Sequence, residues 1–130
     1  MASTIKLPSE ATLLRVDPGT GALQSREYHL SVVSGPDAGK SVAISGTTVV
    51  GTALGAALLL TDEAVSAAHV ELSPRTEGVR IRDLGSTNGT FIGGARIGEA
   101  LLEEPGTVRV GRTVLRIAII KERSNASVYL

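Results

Sequence analysis

The chain has no cysteine and no tryptophan, and its only aromatics are one Phe and two Tyr. The first absence excludes disulfides and thiolate-bound zinc, and it fits a reducing compartment. The second removes the ring platforms on which single-stranded nucleic acid stacks. Charge of one sign is lacking too: 13 Lys and Arg balance 13 Asp and Glu, so no excess of cations favours a phosphate backbone. No apolar run approaches the ~20 residues of a membrane span. The first residues, Met1-Ala2-Ser3-Thr4-Ile5-Lys6, open without the apolar stretch of a secretory signal. These absences lead to the expectation of a cytoplasmic protein. What remains is 130 residues with 42% apolar content, enough for one core, which Val, Leu, Ile and Ala must fill.

Short apolar alternations punctuated by glycine run through most of the chain. Glu27–Val33, Ser41–Ile44, Thr47–Val50, Leu58–Leu60, His69–Leu72, Val79–Arg82, Thr90–Ile92, Ala95–Ile97, Thr107–Val110 and Thr113–Ile120 read as strands. Glu99–Pro105 reads as a loop. Ala53–Leu60, rich in alanine, is where a helix competes, and Thr61–Ala68 has room for one helical turn. Many short strands without a long helical period predict an all-β sandwich. The organisation expected is a flexible lead-in over 1–25 (with a short strand near Ala11–Val16), a domain over 26–120, and a tail or linker over 121–130.

Catalytic constellations are sparse. Gly35-Pro36-Asp37-Ala38-Gly39-Lys40-Ser41 invites a phosphate-loop reading. It has three residues where that motif needs four, and it lies between two strands instead of before a helix. His29 and His69, the only histidines, have no matching carboxylates for a metal. Ser66 lies three residues before His69 without a nucleophile elbow. No enzyme, cofactor or metal is expected.

The most informative stretch is Asp83-Leu84-Gly85-Ser86-Thr87-Asn88-Gly89-Thr90. Turn formers interrupt the strands here, and Asn88-Gly89 suits a tight turn. The residues alone leave two readings: an ordinary hairpin loop, or a rim presenting Ser86, Thr87 and Asn88 to a ligand. With Val50-Gly51-Thr52 and Ser66-Ala67-Ala68-His69 upstream, this stretch resembles the signature of forkhead-associated (FHA) domains over roughly Tyr28–Ile119. That resemblance implies a sandwich of two twisted, mainly antiparallel sheets with ligand loops at one end. It also implies recognition of phosphothreonine peptides.

Carried over by motif, Ser66 and Thr87 match positions whose hydroxyls and amides face the phosphate. Asn88 matches the position that holds the peptide backbone, and Gly51 precedes the phosphate anchor. His69 matches a histidine that braces the loops without touching phosphate, and Gly89 completes the turn. Thr52 and Ala67 stand where arginines are expected, so phosphate recognition is expected to be weakened or altered. Lys40, Arg75 and Arg82 are candidates for a compensating charge. The alternative is a phosphate-independent interaction or self-association domain on the same fold. Expected partners are a phosphothreonine-containing protein, a Ser/Thr kinase or an attached effector, with no nucleic acid or membrane. The 28–40 segment is also similar to bacterial FHA domains that precede sigma-54-dependent transcriptional activators.

Overall fold

The computed structural model describes residues 3–6, 13–16 and 23–125, with side chains over 26–120. Thirteen strands form two sheets: β1 (Ser3–Lys6), β2 (Leu13–Val16), β3 (Leu23–Ser34), β4 (Ser41–Ala43), β5 (Thr48–Gly51), β6 (Leu58–Leu59), β7 (Val70–Pro74), β8 (Val79–Asp83), β9 (Thr90–Ile92), β10 (Ala95–Ile97), β11 (Glu99–Leu102), β12 (Gly106–Val110) and β13 (Thr113–Asn125). The larger sheet has the order β1-β2-β3-β13-β12-β9-β10, with β4 also paired to β3; the smaller is β11-β8-β7-β5-β6. All pairs are antiparallel except β5 with β6.

Strand alternation builds the core. On β3, Tyr28, Leu30 and Val32 point inward, and on β13 Leu115 and Ile117 meet them. Val50, Val70, Leu72, Val79 and Ile81 supply the facing layer from the smaller sheet. Each fully buried aliphatic side chain contributes about 1.5–3 kcal/mol of transfer free energy, so a core nearly free of aromatics suffices. No helix occurs among the described residues. In the alanine-rich stretch Leu58 and Leu60 are buried, and β6 pairs beside β5. Burial thus settles what propensity left open.

Two features differ from the sequence expectation. Glu99–Leu102 is strand β11, because its backbone pairs with β8 from Glu99↔Arg82 to Leu102↔Val79. Its residues are poor strand formers by propensity, and the free edge of β8 overrides that. Strand pairing also continues beyond 26–120: β3 starts at Leu23, β13 runs to Asn125, and β1 and β2 extend the same sheet. The ladder between β3 and β13 propagates past both expected bounds. The expected short strand near Ala11–Val16 corresponds to β2 in its described part.

Candidate functional site: a rim of braced loops

The signature loop is not a hairpin. β8 belongs to the smaller sheet and β9 to the larger, so residues 84–89 cross between sheets. Asp83, the last residue of β8, holds this crossing together. Its Oδ2 accepts from the N–H groups of Gly85 and Ser86, both at 3.0 Å. Its Oδ1 accepts from the Ser86 hydroxyl at 2.5 Å and the Thr90 hydroxyl at 2.8 Å. The Ser86 oxygen in turn accepts from Gly89 N–H at 2.9 Å. Burial works against the charged form of Asp83, yet the hydrogen bonds from Ser86, Thr90 and Gly85 outweigh it and hold the carboxyl below its usual range. Gly89 sits at φ +88°, and a Cβ there would lie 2.7 Å from the Arg96 Nε, so only glycine closes the loop without strain.

His69 joins this loop to the neighbouring one. It is fully buried. Its Nδ1 accepts from Ser66 N–H at 3.0 Å, and its Nε2 lies 2.8 Å from Gly89 O. The Ser66 amide can only donate, so Nδ1 is bare and the proton resides on Nε2, which donates to Gly89 O. The ring is thereby fixed in one tautomer. Two further contacts close the rim. Thr87 N–H donates to the Ser66 hydroxyl at 3.1 Å, and Asn88 Nδ2 donates to Ala64 O at 2.9 Å. Thr87, Asn88 and Ala67 are exposed, and Ser66 is half-buried.

The loop after β5 lies against the same segment through its backbone. Thr52 N–H donates to Ser66 O and Ala53 N–H to Ala67 O, each at 3.1 Å. Gly51 is required by close approach: a Cβ would come within 2.0 Å of Ala67 O. The Thr52 hydroxyl makes one long contact, 3.4 Å to Val65 O. Beyond it Leu54 is 93% exposed. An open depression of about 390 Å³ lies beside these residues, lined also by Leu59, Asp62 and Val65.

The structure therefore brings Gly51, Thr52, Ser66, Ala67, Thr87 and Asn88 together, with His69 and Gly89 beneath them. Three other candidates are already engaged within the fold. Ser86 is buried and its hydroxyl is engaged by Asp83 and Gly89, so it shapes the loop instead of facing a ligand. Lys40 is held by Asp37 at 3.1 Å and by Leu59 O at 3.0 Å. Arg82 pairs with Glu71 at 3.4 Å across the smaller sheet. Neither charge is unengaged at the rim, and Arg75 lies in a separate hollow with Glu77, Arg80 and Glu99. The glycine-rich 35–40 stretch is the turn from β3 to β4, confirming the hairpin over the phosphate-loop reading.

The sequence reading missed the carboxylates that staple the rim. Asp62 accepts from Ala64 N–H, Arg112 N–H and the Thr113 hydroxyl, tying the 61–69 loop to the turn between β12 and β13. Burial opposes its charge, but these bonds prevail and its pKa is lowered. Asp37 accepts from the Thr61 N–H and hydroxyl, and the backbone bond is the main cause of its lowered pKa. An Asp two or three residues before a small-residue turn was the available signal at Asp62 and Asp83; the partners of Asp37 are distant in sequence. Arg112 was missed too. Its backbone is fixed beside Asp62, and its exposed side chain makes no ion pair among the described residues. No group of three or more His, Cys, Asp or Glu that could hold a metal occurs among the described residues.

Comparison with known proteins agrees with this geometry. A family model described as the inner membrane component of T3SS, cytoplasmic domain, an FHA-like domain, matches residues 31–121. An FHA domain-containing protein, FhaB, of Mycolicibacterium smegmatis is 38% identical over 90 residues, covering 68% of this chain and 58% of that protein. The chain thus matches less than two thirds of that relative's length. The FhaA FHA domain, solved in complex with the intracellular domain of Rv3910, superposes with TM-score 0.62 at 25% identity, over 69% of this chain and 98% of that one. A further solved FHA domain, studied for phosphothreonine-dependent interactions, gives TM-score 0.65 at 24% identity, over 73% of this chain and 98% of that one. The chain belongs to this family of forkhead-associated domains, and its all-β sandwich is the FHA fold. None of these matches is a sigma-54-dependent activator, so that expectation gains no support.

Proposed function

We propose that the chain is a non-enzymatic protein-interaction module that reads phosphothreonine on a partner, with weaker phosphate recognition than an arginine-anchored FHA domain. The observation that carries this is the convergence of Ser66, Thr87 and Asn88 on one braced rim, beside Thr52. A phosphothreonine brings nearly two negative charges and three acceptor oxygens. The Ser66 hydroxyl and the Thr87 side chain supply donors, and Asn88 supplies an amide for the peptide backbone. What Thr52 and Ala67 cannot supply is a guanidinium. A hydrogen bond to a charged group is worth about 1.5–3 kcal/mol, so one lost contact weakens binding about 10–100-fold. Arg112, on the turn that Asp62 ties to the 61–69 loop, is a candidate substitute.

The partner class is a phosphorylated protein of a Ser/Thr kinase pathway, the kinase itself, or an effector on the same polypeptide. Similar FHA domains, one studied for phosphothreonine-dependent interactions and one solved in complex with an intracellular domain, support this class. The cytoplasm is the proposed location. The matching family is described as a cytoplasmic domain, the chain lacks cysteine, and no described helix is long and apolar enough to cross a membrane. A second reading, binding without phosphate, is favoured by one observation: Leu54, almost wholly exposed beside Thr52, offers an apolar contact where the anchor charge would be.

Fluorescence anisotropy with a degenerate phosphothreonine peptide pool and its unphosphorylated twin separates the two. The first reading predicts binding of the phosphorylated pool alone, lost in Ser66→Ala and Asn88→Ala and reduced in Arg112→Ala. Equal binding of both pools, lost in Leu54→Ala, would establish the second.

A further inference from the structure

The two outer faces of the sandwich carry different electrostatics although the chain has no net charge. On the smaller sheet the arginines are matched: Arg80 pairs with Glu99 and Arg82 with Glu71. On the outer face of the larger sheet three arginines have no such match among the described residues. Residues directly opposite in a ladder project to the same side. The register sets Arg96 opposite Phe91, Phe91 opposite Arg109, and Arg109 opposite Val114. Two residues along β13, Arg116 lies opposite Thr107 on one side and Ser31 on the other, and Ser31 lies opposite Ser41. Burial alternates to match: Val108, Val110, Leu115 and Ile117 are buried, whereas Arg109 and Arg116 are exposed, as is Arg96.

Arg96, Arg109 and Arg116 thus share one outward face, and none of them makes an ion pair among the described residues. Arg109 is held in place, with its guanidinium 4.3 Å from the Phe91 ring centre and Nη1 donating to Gly111 O. The first carboxylate on this side of β3, Glu27, lies beyond His29 and already has a partner. At the Arg116 end the face dips into an open groove of about 360 Å³ whose polar lining is His29, Ser31, Ser41 and Arg116 and whose apolar lining is Ala118, Ile119 and Ile120. There His29 Nε2 is buried and has no hydrogen-bond partner among the described residues. The Arg116 guanidinium and the two hydroxyls that line this groove with it are donors suited to a carboxylate.

We propose that this face of the larger sheet is a docking surface for an acidic, extended segment of a protein partner, with one carboxylate seated in the groove at Ser31, Ser41 and Arg116. Charge complementarity selects the occupant, since three arginines stand without acidic partners among the described residues. Their type narrows it further, because planar guanidinium groups form paired bonds with carboxylates. Spacing is the third argument. Adjacent strands lie about 4.8 Å apart and alternate residues about 6.7 Å along a strand, so neighbouring arginines stand about 8–10 Å apart. Side chains on one face of an extended peptide repeat about every 6.7 Å, which long acidic side chains bridge to that spacing. The surface borders the signature loop where Arg96 lies beside Gly89, but its recognition does not depend on phosphate.

The test uses the full 130-residue chain and a short fluorescein-labelled peptide with Glu and Asp at alternate positions, beside its Gln and Asn twin, at low and physiological salt. The acidic peptide binds and the neutral twin does not, and binding weakens with salt. The triple variant Arg96→Gln/Arg109→Gln/Arg116→Gln weakens it at least about tenfold. Ser66→Ala and Arg80→Gln/Arg82→Gln leave it unchanged, which separates this surface from the phosphothreonine rim. Because Arg109 also packs on Phe91, the single variant Arg116→Gln, which loses no ion pair among the described residues, must weaken binding with an unaltered thermal midpoint. Equal binding of both peptides, or no effect of the triple variant, would overturn the proposal. So would binding to phosphatidylserine vesicles in place of the peptide, or self-association abolished by the same triple variant.

Discussion

Two loops face each other across the rim, and they are built on opposite plans. The 84–89 loop is fixed by side chains: Asp83 accepts four hydrogen bonds, Ser86 relays one to Gly89, and His69 ties both to the next loop. The loop after β5 is held by backbone pairing from Thr52 and Ala53, and its side chains make one long contact and an exposed leucine. The difference separates two tasks that a binding site usually merges. One loop carries the architecture that sets Thr87 and Asn88 in place. The other occupies the position of the anchoring charge, and its side chains contribute almost nothing to architecture. Recognition can therefore change at Thr52 while the rim stays intact.

Removing Asp83 should break that contrast most severely. Asp83→Ala leaves the buried hydroxyls of Ser86 and Thr90 and two amides without their acceptor, and is expected to cost about 3 kcal/mol in urea unfolding. His69→Ala comes next, at about 2 kcal/mol, since it orphans Ser66 N–H and Gly89 O at a fully buried position. Amide protection should fall at both 84–89 and 64–67 in this variant, because one ring serves both loops.

Acid sharpens the comparison. The carboxyls of Asp37, Asp62 and Asp83 lie below the ordinary value of 3.8 in the folded chain. A lowered folded pKa means the unfolded chain binds protons first. The stabilisation is complete above about 3.8 and is lost as pH falls through the folded values. Unfolding free energy should thus decline below that pH, and Asp83→Asn should make the decline shallower. The smallest effect belongs to the other loop: Thr52→Ala should alter stability by less than about 0.5 kcal/mol.

Much of this was legible in the sequence. Alternation in Val79–Arg82 and Thr107–Val110 gave strands β8 and β12, and the 83–90 octet together with Ser66 and His69 pointed to the rim. What stayed hidden depends on distant partners. Ser86 looks ligand-facing until the folded Asp83 turns its hydroxyl inward. Lys40 looks free until Asp37 is brought beside it and Leu59 arrives from a strand nineteen residues on. Glu99–Leu102 has no strand signature of its own, and only the open edge of β8 makes it one. The unmatched arginines of the larger sheet are likewise invisible along the chain, since Arg96, Arg109 and Arg116 meet only through the register of four strands.

The account stands most directly on one titration: the phosphothreonine peptide pool against the wild-type chain and Thr52→Arg/Ala67→Arg, with unfolding of both proteins followed in parallel. Restoring the guanidinium groups should tighten binding about tenfold or more for the phosphorylated pool only, with stability unchanged within about 0.5 kcal/mol. An unchanged affinity, an equal gain for the unphosphorylated pool, or a collapse of the rim would contradict the division between an intact architecture and an altered anchor.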